Sequence, residues 1–306
     1  MYHKPVMLSQ CMEGLNINPG GTYADLTFGG GGHARAILER LGREGRLIAF
    51  DQDADAEAEG RKLEREDGRF RFVRGNFRFA VNHLHYMGVR EVDGILADLG
   101  VSSHQMDDYG RGFSFRGDSP IDMRMNRDQR LTADEVLNRY ERERLENVFR
   151  LYGELKRARR IASAIVDARG EGKAWTTEAL CRAANPYVAR DREKRDMARV
   201  FQALRIEVNG EMNALGEMLM QIPDVLGSKG RVVVMTYHSI EDRMVKNFLR
   251  TGNVEGRRER DFYGRDVAPL TQVNSKVITP TDAEIEENPR SRSAKLRIGE
   301  RLELRG

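Results

Sequence analysis

The chain of 306 residues holds only two cysteines, Cys11 and Cys181, far apart and without a partner pattern. That excludes a disulfide framework and a cysteine-based zinc site, and both thiols read as buried or idle. No cluster of ligating side chains suggests a metal. The net charge of +3 is too small to announce a nucleic-acid binder, so any basic surface must come from local clustering. No apolar run is long enough to span a bilayer. Met1 to Cys11 lacks a signal-peptide core, so a cytoplasmic address, with no membrane partner, is expected. What the chain does have is 40% hydrophobic and 32% charged residues, the balance of a soluble globular protein. Its length allows one large domain or two ordinary ones.

The most informative stretch is Tyr23-Ala24-Asp25-Leu26-Thr27-Phe28-Gly29-Gly30-Gly31-Gly32-His33-Ala34. It reads as a short strand, a glycine turn and a helix. Glycines permit positive φ and close backbone approach. The spacing Gly29-x-Gly31-x-x-Ala34 fits the nucleotide-fold fingerprint. Asp51 follows at the end of a second strand, Leu47–Phe50, placed to accept hydrogen bonds from ribose hydroxyls. A glycine turn alone is often just a tight connection; the strand, helix and acid around it make a nucleoside-cofactor site.

Strand–helix units continue. A helix follows Asp53 or Asp55 as N-cap, a third strand covers 70–73, a helix runs to Met87, and a fourth strand covers 92–97 and ends at Asp98. Alternation of this kind predicts an α/β fold with a parallel sheet. Ligands bind beyond the carboxyl ends of such strands, where Gly29–His33, Asp51, Phe77 and Asp98 converge. Residues 1–21 read as a leader covering a sheet edge. Residues 101–130 break the rhythm, and their aromatic and apolar content argues for an ordered active-site loop. From Leu131 the pattern is helical: 133–140, 142–152, 154–169, 175–184 and a long helix over 197–219. The expected layout is a discontinuous domain, 1–107 with 206–306, interrupted by an all-helical insertion over 108–205. A fifth strand at 230–236 ends in Tyr237-His238, and strands at 273–278 and 294–302 close the chain as an antiparallel edge pair, with a helix at 282–287 between them.

The glycine turn suits either a pyrophosphate cofactor or S-adenosylmethionine. Asp25, four residues before Gly29, favours the second, because a carboxylate attracts ammonium and sulfonium charges and repels a pyrophosphate. Nor does a second mononucleotide half follow the fourth strand directly.

Eight motifs carry a family resemblance. They are His3-Lys4-Pro5-Val6-Met7-Leu8, Thr27–His33, Asp98-Leu99-Gly100-Val101-Ser102-Ser103, Arg111-Gly112-Phe113-Ser114-Phe115, Pro120-Ile121-Asp122-Met123-Arg124-Met125, Phe201–Asn209, His238–Arg243 and Asn288–Ser293. In number and order they resemble the bacterial small-subunit (16S) ribosomal RNA cytosine-N4 methyltransferases. The resemblance implies a Rossmann-like class I S-adenosylmethionine-dependent methyltransferase with an inserted helical domain. It implies methylation of one cytidine in the decoding (P-site) region of 16S rRNA, with the RNA presented as such or within the assembled small subunit, by a monomer or homodimer. Carried over by motif, the cofactor residues are Gly31, Gly32, His33, Asp51, Phe77, Asp98 and Gln105. Two positions depart from the pattern: His104 stands where the family has proline, and Arg195–Arg199 replaces a His-Pro-Ala stretch.

The cytosine amine is a poor nucleophile, so its lone pair needs a nearby acceptor that later takes the proton. Asp98 is the first candidate for that catalytic role and His238 the second, although a histidine there is as easily structural. On the RNA side, Arg111, Arg116 and Arg124 read as phosphate contacts, joined by Arg127 and Arg130, and Phe113 and Phe115 as stacking rings with Tyr109. Arg157, Arg159 and Arg160 form a second basic cluster, read as a solvated helix face. Two other classes remain open: a nicotinamide-dependent oxidoreductase, told apart by NAD binding, and a non-catalytic RNA-binding assembly factor, told apart by RNA binding without methyl transfer.

Overall fold

A computed structural model describes residues 5–170, 174–264 and 267–302. His3 and Lys4 of the N-terminal motif lie outside these residues. The chain divides into two compact units, Met1–Gly100 with Met212–Gly306, and Val101–Glu211.

The first unit opens with α1 (Leu8–Leu15), then β1 (Thr22–Asp25), α2 (Gly32–Leu38), β2 (Arg46–Asp51), α3 (Ala54–Glu66), β3 (Phe70–Arg74), α4 (Ala80–Tyr86) and β4 (Val92–Asp98). Asp53 caps α3 through its carboxylate, which accepts from the Asp55 N–H at 3.1 Å. α1 differs from the expected edge leader. It packs on the sheet face, where a Cβ on Gly14 would lie 2.9 Å from Ile298 Cδ1 and 3.1 Å from Val233 Cγ2. Cys11, Met12, Gly14 and Leu15 are the residues it buries.

The second unit is helical: α5 (Ser103–Asp107), α6 (Ala133–Arg139), α7 (Arg142–Leu151), α8 (Ala158–Asp167), α9 (Thr177–Ala184) and α10 (Glu193–Asn209). α8 starts later than the expected 154 because Glu154 takes a left-handed φ of 48°. The long helix expected over 197–219 is two helices. Gly210, at φ 59°, ends α10, and α11 (Glu211–Val225) follows. The unit is also wider than the expected 108–205. Ser102 caps α5 at one end, and Arg205 holds Glu211 with two hydrogen bonds of 2.8 and 2.9 Å at the other.

Within the second unit, residues 108–132 are held by burial rather than by regular structure. Phe113, Ile121, Met123 and Met125 enter the same apolar core as Val136, Leu145, Phe149, Ile161 and Leu204. Asn209 clamps this stretch: its Nδ2 donates to the Met123 carbonyl at 2.8 Å and its Oδ1 accepts from the Met125 N–H at 2.7 Å. The Phe201–Asn209 motif therefore has a structural reason. Gln202 donates to the Tyr152 carbonyl at 2.9 Å and Glu207 accepts from the Tyr140 hydroxyl at 2.7 Å.

After α11 the first unit resumes with β5 (Leu226–Thr236), α12 (Ser239–Thr251), β6 (Leu270–Gln272), α13 (Asp282–Glu287) and β7 (Lys295–Arg301). The sheet order is β3-β2-β1-β4-β5-β7-β6, parallel from β3 to β5 and antiparallel at β5–β7 and β7–β6. This is an α/β, Rossmann-like arrangement. Both faces are buried, so the strands read as apolar runs: in β5, Val233 and Met235 join the core that contains α1 and α2, while the equally buried Val232 and Val234 alternate with them. β7 lies inside the sheet, not at its edge. The expected strand over 273–278 is reduced to an isolated bridge at Ile278–Leu296, where the Asn274 amide turns back onto the Lys276 carbonyl at 2.5 Å. No helix among the described residues is long and apolar enough to cross a membrane.

Candidate active site

Adjacent parallel strands bring three carboxylates to one edge of the first unit. Asp25 ends β1, Asp51 ends β2 and Asp98 ends β4, with β1 between the other two. The glycine turn sits above β1. Gly29 and Gly31 have φ of 54° and 77°, conformations that favour glycine. A Cβ on Gly31 would meet the Phe28 ring at 2.7 Å, and one on Gly32 would meet Pro5 Cγ at 2.3 Å. Gly31, the N-cap of α2, has no side chain to offer the first-turn N–H groups of that helix.

Asp51 shapes the turn. Its Oδ2 accepts from the Gly29 N–H at 2.8 Å and its Oδ1 from the Asp53 N–H at 2.9 Å. Burial pushes its pKa up to about 6, against the pull of these N–H donors. With the Gln52 N–H as a third donor, the carboxylate still keeps acceptor capacity for a ligand hydroxyl. Asp25 is buried. One oxygen accepts from the Thr27 N–H at 3.1 Å, and the other, Oδ2, has no hydrogen-bond partner among the described residues. Burial raises its pKa to about 6, and His33 opposes the rise. An orphaned buried carboxylate oxygen is costly unless a cationic or donor group meets it.

His33 is buried at the start of α2. Its Nε2 faces the Val6 carbonyl at 3.1 Å, which fixes the proton there, and its Nδ1 lies 3.8 Å from Asp98 Oδ2. Burial lowers its pKa, so the ring is held neutral.

Asp98 is held through both its backbone and its side chain. Its backbone N–H donates to Thr27 Oγ1 at 2.6 Å, which locks the end of β4 to the end of β1. Its Oδ1 accepts from the Tyr237 hydroxyl at 2.8 Å. Burial drives its pKa up to about 7, the Tyr237 hydrogen bond pulls it down, and the Glu241 charge adds to the rise. Its side chain still keeps 24% of its surface exposed, so an incoming group can reach it. The result is a carboxyl that ionises near neutrality, matched to proton transfer.

The residues after β5 hold Tyr237 in place. Glu241 is buried, and its Oε2 accepts from the Tyr237 N–H at 2.9 Å and the His238 N–H at 3.3 Å. His238 is the N-cap of α12: its Nδ1 accepts from the Glu241 N–H at 3.4 Å. Its Nε2 lies 3.1 Å from Glu241 Oε1, close enough for an ion pair but without hydrogen-bond alignment. Both ring nitrogens thus face Glu241, which suits a structural histidine better than a proton acceptor.

The fold brings Gly31, Gly32, His33, Asp51 and Asp98 to one edge. Phe77 opens the turn before α4 and lines a small apolar crevice with Leu26, Leu84, Ile95 and Ile222. Gln105 belongs to the second unit, where its Oε1 accepts from the Ser102 N–H at 3.0 Å in the capping box of α5. Sequence reasoning missed Thr27 and Tyr237; only their positions at strand ends signalled them.

Four of the eight residues expected to touch RNA are employed within the second unit. Arg111 is buried, donates to the Arg124 and Met125 carbonyls at 2.7 and 2.9 Å, and lies over the Phe113 ring. Phe113 is a core residue, and Phe115 packs edge-on against Phe201. Arg124 grips Asp122 through two hydrogen bonds of 2.8 and 2.7 Å and donates to the carbonyls of Arg127 and Gln129. Arg111 and Phe113, both buried, are corrected to supports of an ordered loop, because burial leaves them little to offer RNA, while Phe115 and Arg124 hold the same loop from half-buried positions. Arg116, Tyr109, Arg130 and the 157, 159 and 160 arginines are exposed.

The sequence pattern of the MraW methylase family matches residues 1–302. The chain belongs to the MraW methylase family. Two relatives, from Bacteroides thetaiotaomicron and Parabacteroides distasonis, are each named ribosomal RNA small subunit methyltransferase H. The first is 57% identical over 300 residues, covering 98% of this chain and 97% of the relative. The second is 57% identical over 302 residues, covering 98% of both. An rRNA methylase structure from Streptococcus thermophilus is similar at 14% identity and a TM-score of 0.43, covering 99% of each chain. In this MraW methylase the acids at the strand ends and the glycine turn form the candidate catalytic edge.

Proposed function

We propose that this methylase transfers the methyl group of S-adenosylmethionine to the exocyclic N4 amine of a cytidine in the decoding region of small-subunit ribosomal RNA. The reaction is assigned to the cytoplasm, on RNA within the small subunit. Family membership and the names of its relatives support methylation of ribosomal RNA. The observation that carries the chemistry is Asp98, a half-buried carboxyl held by Thr27 and Tyr237 with a pKa raised to about 7.

The site fits the cofactor. The partnerless Oδ2 of Asp25 suits a cationic group, the glycine turn lets backbone approach a ligand, and Asp51 retains acceptor capacity for ribose hydroxyls. Gly31, Gly32, His33 and Asp51 are assigned to holding it, with Phe77 beside the nucleoside. When bound, S-adenosylmethionine supplies an electrophilic methyl on a sulfonium.

The rest of the chemistry belongs to the chain. Asp98 accepts a hydrogen bond from the cytosine amine, which localises the nitrogen lone pair, and then takes the amine proton. Tyr237 holds Oδ1 of that carboxyl, so Oδ2 is the oxygen offered. His33, neutral and anchored on Val6, presents an unprotonated Nδ1 toward Oδ2 and does not compete with the amine for the carboxylate. His238 serves as the cap that orders Tyr237, and the acceptor role rests on Asp98. Alignment of amine and methyl carries much of the remaining rate.

The test incubates the protein with small subunits lacking the modification and S-adenosylmethionine labelled on its methyl. The RNA is then digested and the labelled nucleoside identified by mass spectrometry. Labelled N4-methylcytidine at one site is expected. Label on another nucleoside, or none from a protein that binds the cofactor, would sink the assignment.

A further inference from the structure

The first unit lifts two aromatic rings into solvent, away from its acidic edge. A finger follows α12, and its base is pinned to that helix. Asn247 Nδ2 donates to the Val254 carbonyl at 3.1 Å. Asn253 holds Arg257 from both sides, accepting from its N–H at 2.9 Å and donating to its carbonyl at 2.6 Å. Val267 N–H closes the finger on the Glu259 carbonyl at 2.9 Å, and Gly264 N–H reaches the Asp261 carbonyl at 2.9 Å to form a turn. Phe262 and Tyr263 occupy that turn, 98% and 76% exposed, with ring centroids 5.6 Å apart at 87°. Phe262 is the most exposed large apolar side chain among the described residues.

Large rings held in water by an ordered turn mark an interaction site. Their surroundings select the partner. From Arg243 to Gly264 the chain carries six cations (Arg243, Lys246, Arg250, Arg257, Arg258, Arg260) against three carboxylates (Glu255, Glu259, Asp261), all exposed. Asp242, just before, is engaged by Lys295 at 3.0 Å and Arg297 at 2.7 Å. Arg243, Lys246 and Arg250 recur at intervals of three and four, so they share one face of α12. α12 begins at the residue after its cap, His238, beside Tyr237, and a helix of 13 residues carries that face about 20 Å from the acidic edge. The exposed side chains of the described finger residues around the rings are mainly charged, with Val267 the one exposed apolar neighbour, a setting that suits a polyanion better than an apolar protein face. Unpaired bases stack on aromatic faces while arginines and lysines meet the phosphates.

We infer that Phe262 and Tyr263 form a stacking platform for unpaired bases of the RNA substrate, with the α12 cations on its backbone. The inference rests on the ribosomal RNA reading for the identity of the RNA, and its test does not depend on methyl transfer. A fluorescent single-stranded oligoadenylate and a duplex RNA of equal length are titrated into wild type and Phe262→Ala/Tyr263→Ala, with melting temperature and S-adenosylmethionine affinity measured in parallel. The double variant is expected to lose about tenfold or more in affinity for the single strand, with duplex binding, melting temperature and cofactor affinity unchanged. The variant Tyr263→Phe should keep most of the affinity. Unchanged single-strand affinity overturns the inference, as does an equal loss on duplex, which would mean a charge effect alone. A wild-type dimer that the double variant turns into a monomer, with RNA affinity unchanged, also overturns it, and would make the rings a self-association surface. If small subunits receive no methyl from wild type while single-strand affinity still falls, the platform stands and the substrate reading fails.

Discussion

The Tyr237 hydroxyl donates to Asp98 Oδ1 at 2.8 Å, although the two residues sit 139 positions apart in the chain. This bond favours the charged carboxylate and so opposes the burial that raises the Asp98 pKa to about 7. Methyl transfer should therefore rise with pH through the neutral range and level off once Asp98 is ionised. Tyr237→Phe removes the stabilising donor, and the rising limb should move up by roughly one pH unit, the equivalent of one hydrogen bond to a charged group. The plateau rate should fall much less. A pH–rate profile of single-turnover methylation checks this, and an unmoved limb would separate Tyr237 from the acceptor.

Asp98→Asn should remove transfer by a factor of about 10² to 10⁴ and yet stabilise the protein at alkaline pH. Asp98 has a folded pKa of about 7 against an ordinary value of 3.8. Between those values the folded state binds more protons than the unfolded state, so stability falls as pH rises through the window, by at most about 4 kcal/mol for this group. The same sign holds for Asp25 and Asp51, both raised to about 6. Asparagine carries no charge to desolvate. Melting curves should show the variant above wild type at pH 8 and close to it at pH 4. A variant less stable at pH 8 would contradict the raised pKa.

How far such a site could be read from sequence depends on the range of each interaction. Strand ends were legible because apolar runs followed by Asp25, Asp51 and Asp98 are local patterns. The break at Gly210 was not, because Met212 and Leu215 continue the apolar stripe of α10 in phase and hide a single left-handed residue. Tyr237 escaped notice because its meaning comes from Asp98, which only the β4–β5 pairing brings near. Arg111 and Arg124 were misread because an arginine in a loop is exposed by default. Burying Arg111 and half-burying Arg124 takes carbonyl and carboxylate partners that no short-range pattern announces. The small helix α1 was hidden by its shortness, eight residues with no capping side chain at the N-terminus, although Cys11, Met12 and Leu15 already share one face.

Gly32→Ala should weaken cofactor binding without unfolding the protein. The added methyl would fall 2.3 Å from Pro5 Cγ, so the segment that lies over the glycine turn must shift. That segment also supplies the Val6 carbonyl that fixes His33. Overpacking of this kind costs about 1–3 kcal/mol. Isothermal titration with S-adenosylmethionine should show at least a tenfold loss, with far-UV circular dichroism unchanged. Wild-type affinity in the variant would mean that the turn and its cover do not contribute to the cofactor site.

Arg111→Ala and Arg116→Ala should separate structure from recognition in the second unit. Arg111 is buried and donates to two carbonyls, so its removal leaves the Arg124 and Met125 oxygens unpartnered in an apolar core. The expected loss is about 2–4 kcal/mol of stability, read as a lower melting temperature and faster proteolysis within 101–211. Arg116 is exposed on the same loop, and its removal should leave stability within about 0.5 kcal/mol of wild type. If Arg116 meets a phosphate, its loss should weaken RNA binding evenly across sequences and reduce the salt dependence by about one ion. Were Arg111→Ala to fold as stably as wild type and lose only RNA affinity, the loop-support role would be wrong and the phosphate-contact reading of that arginine restored.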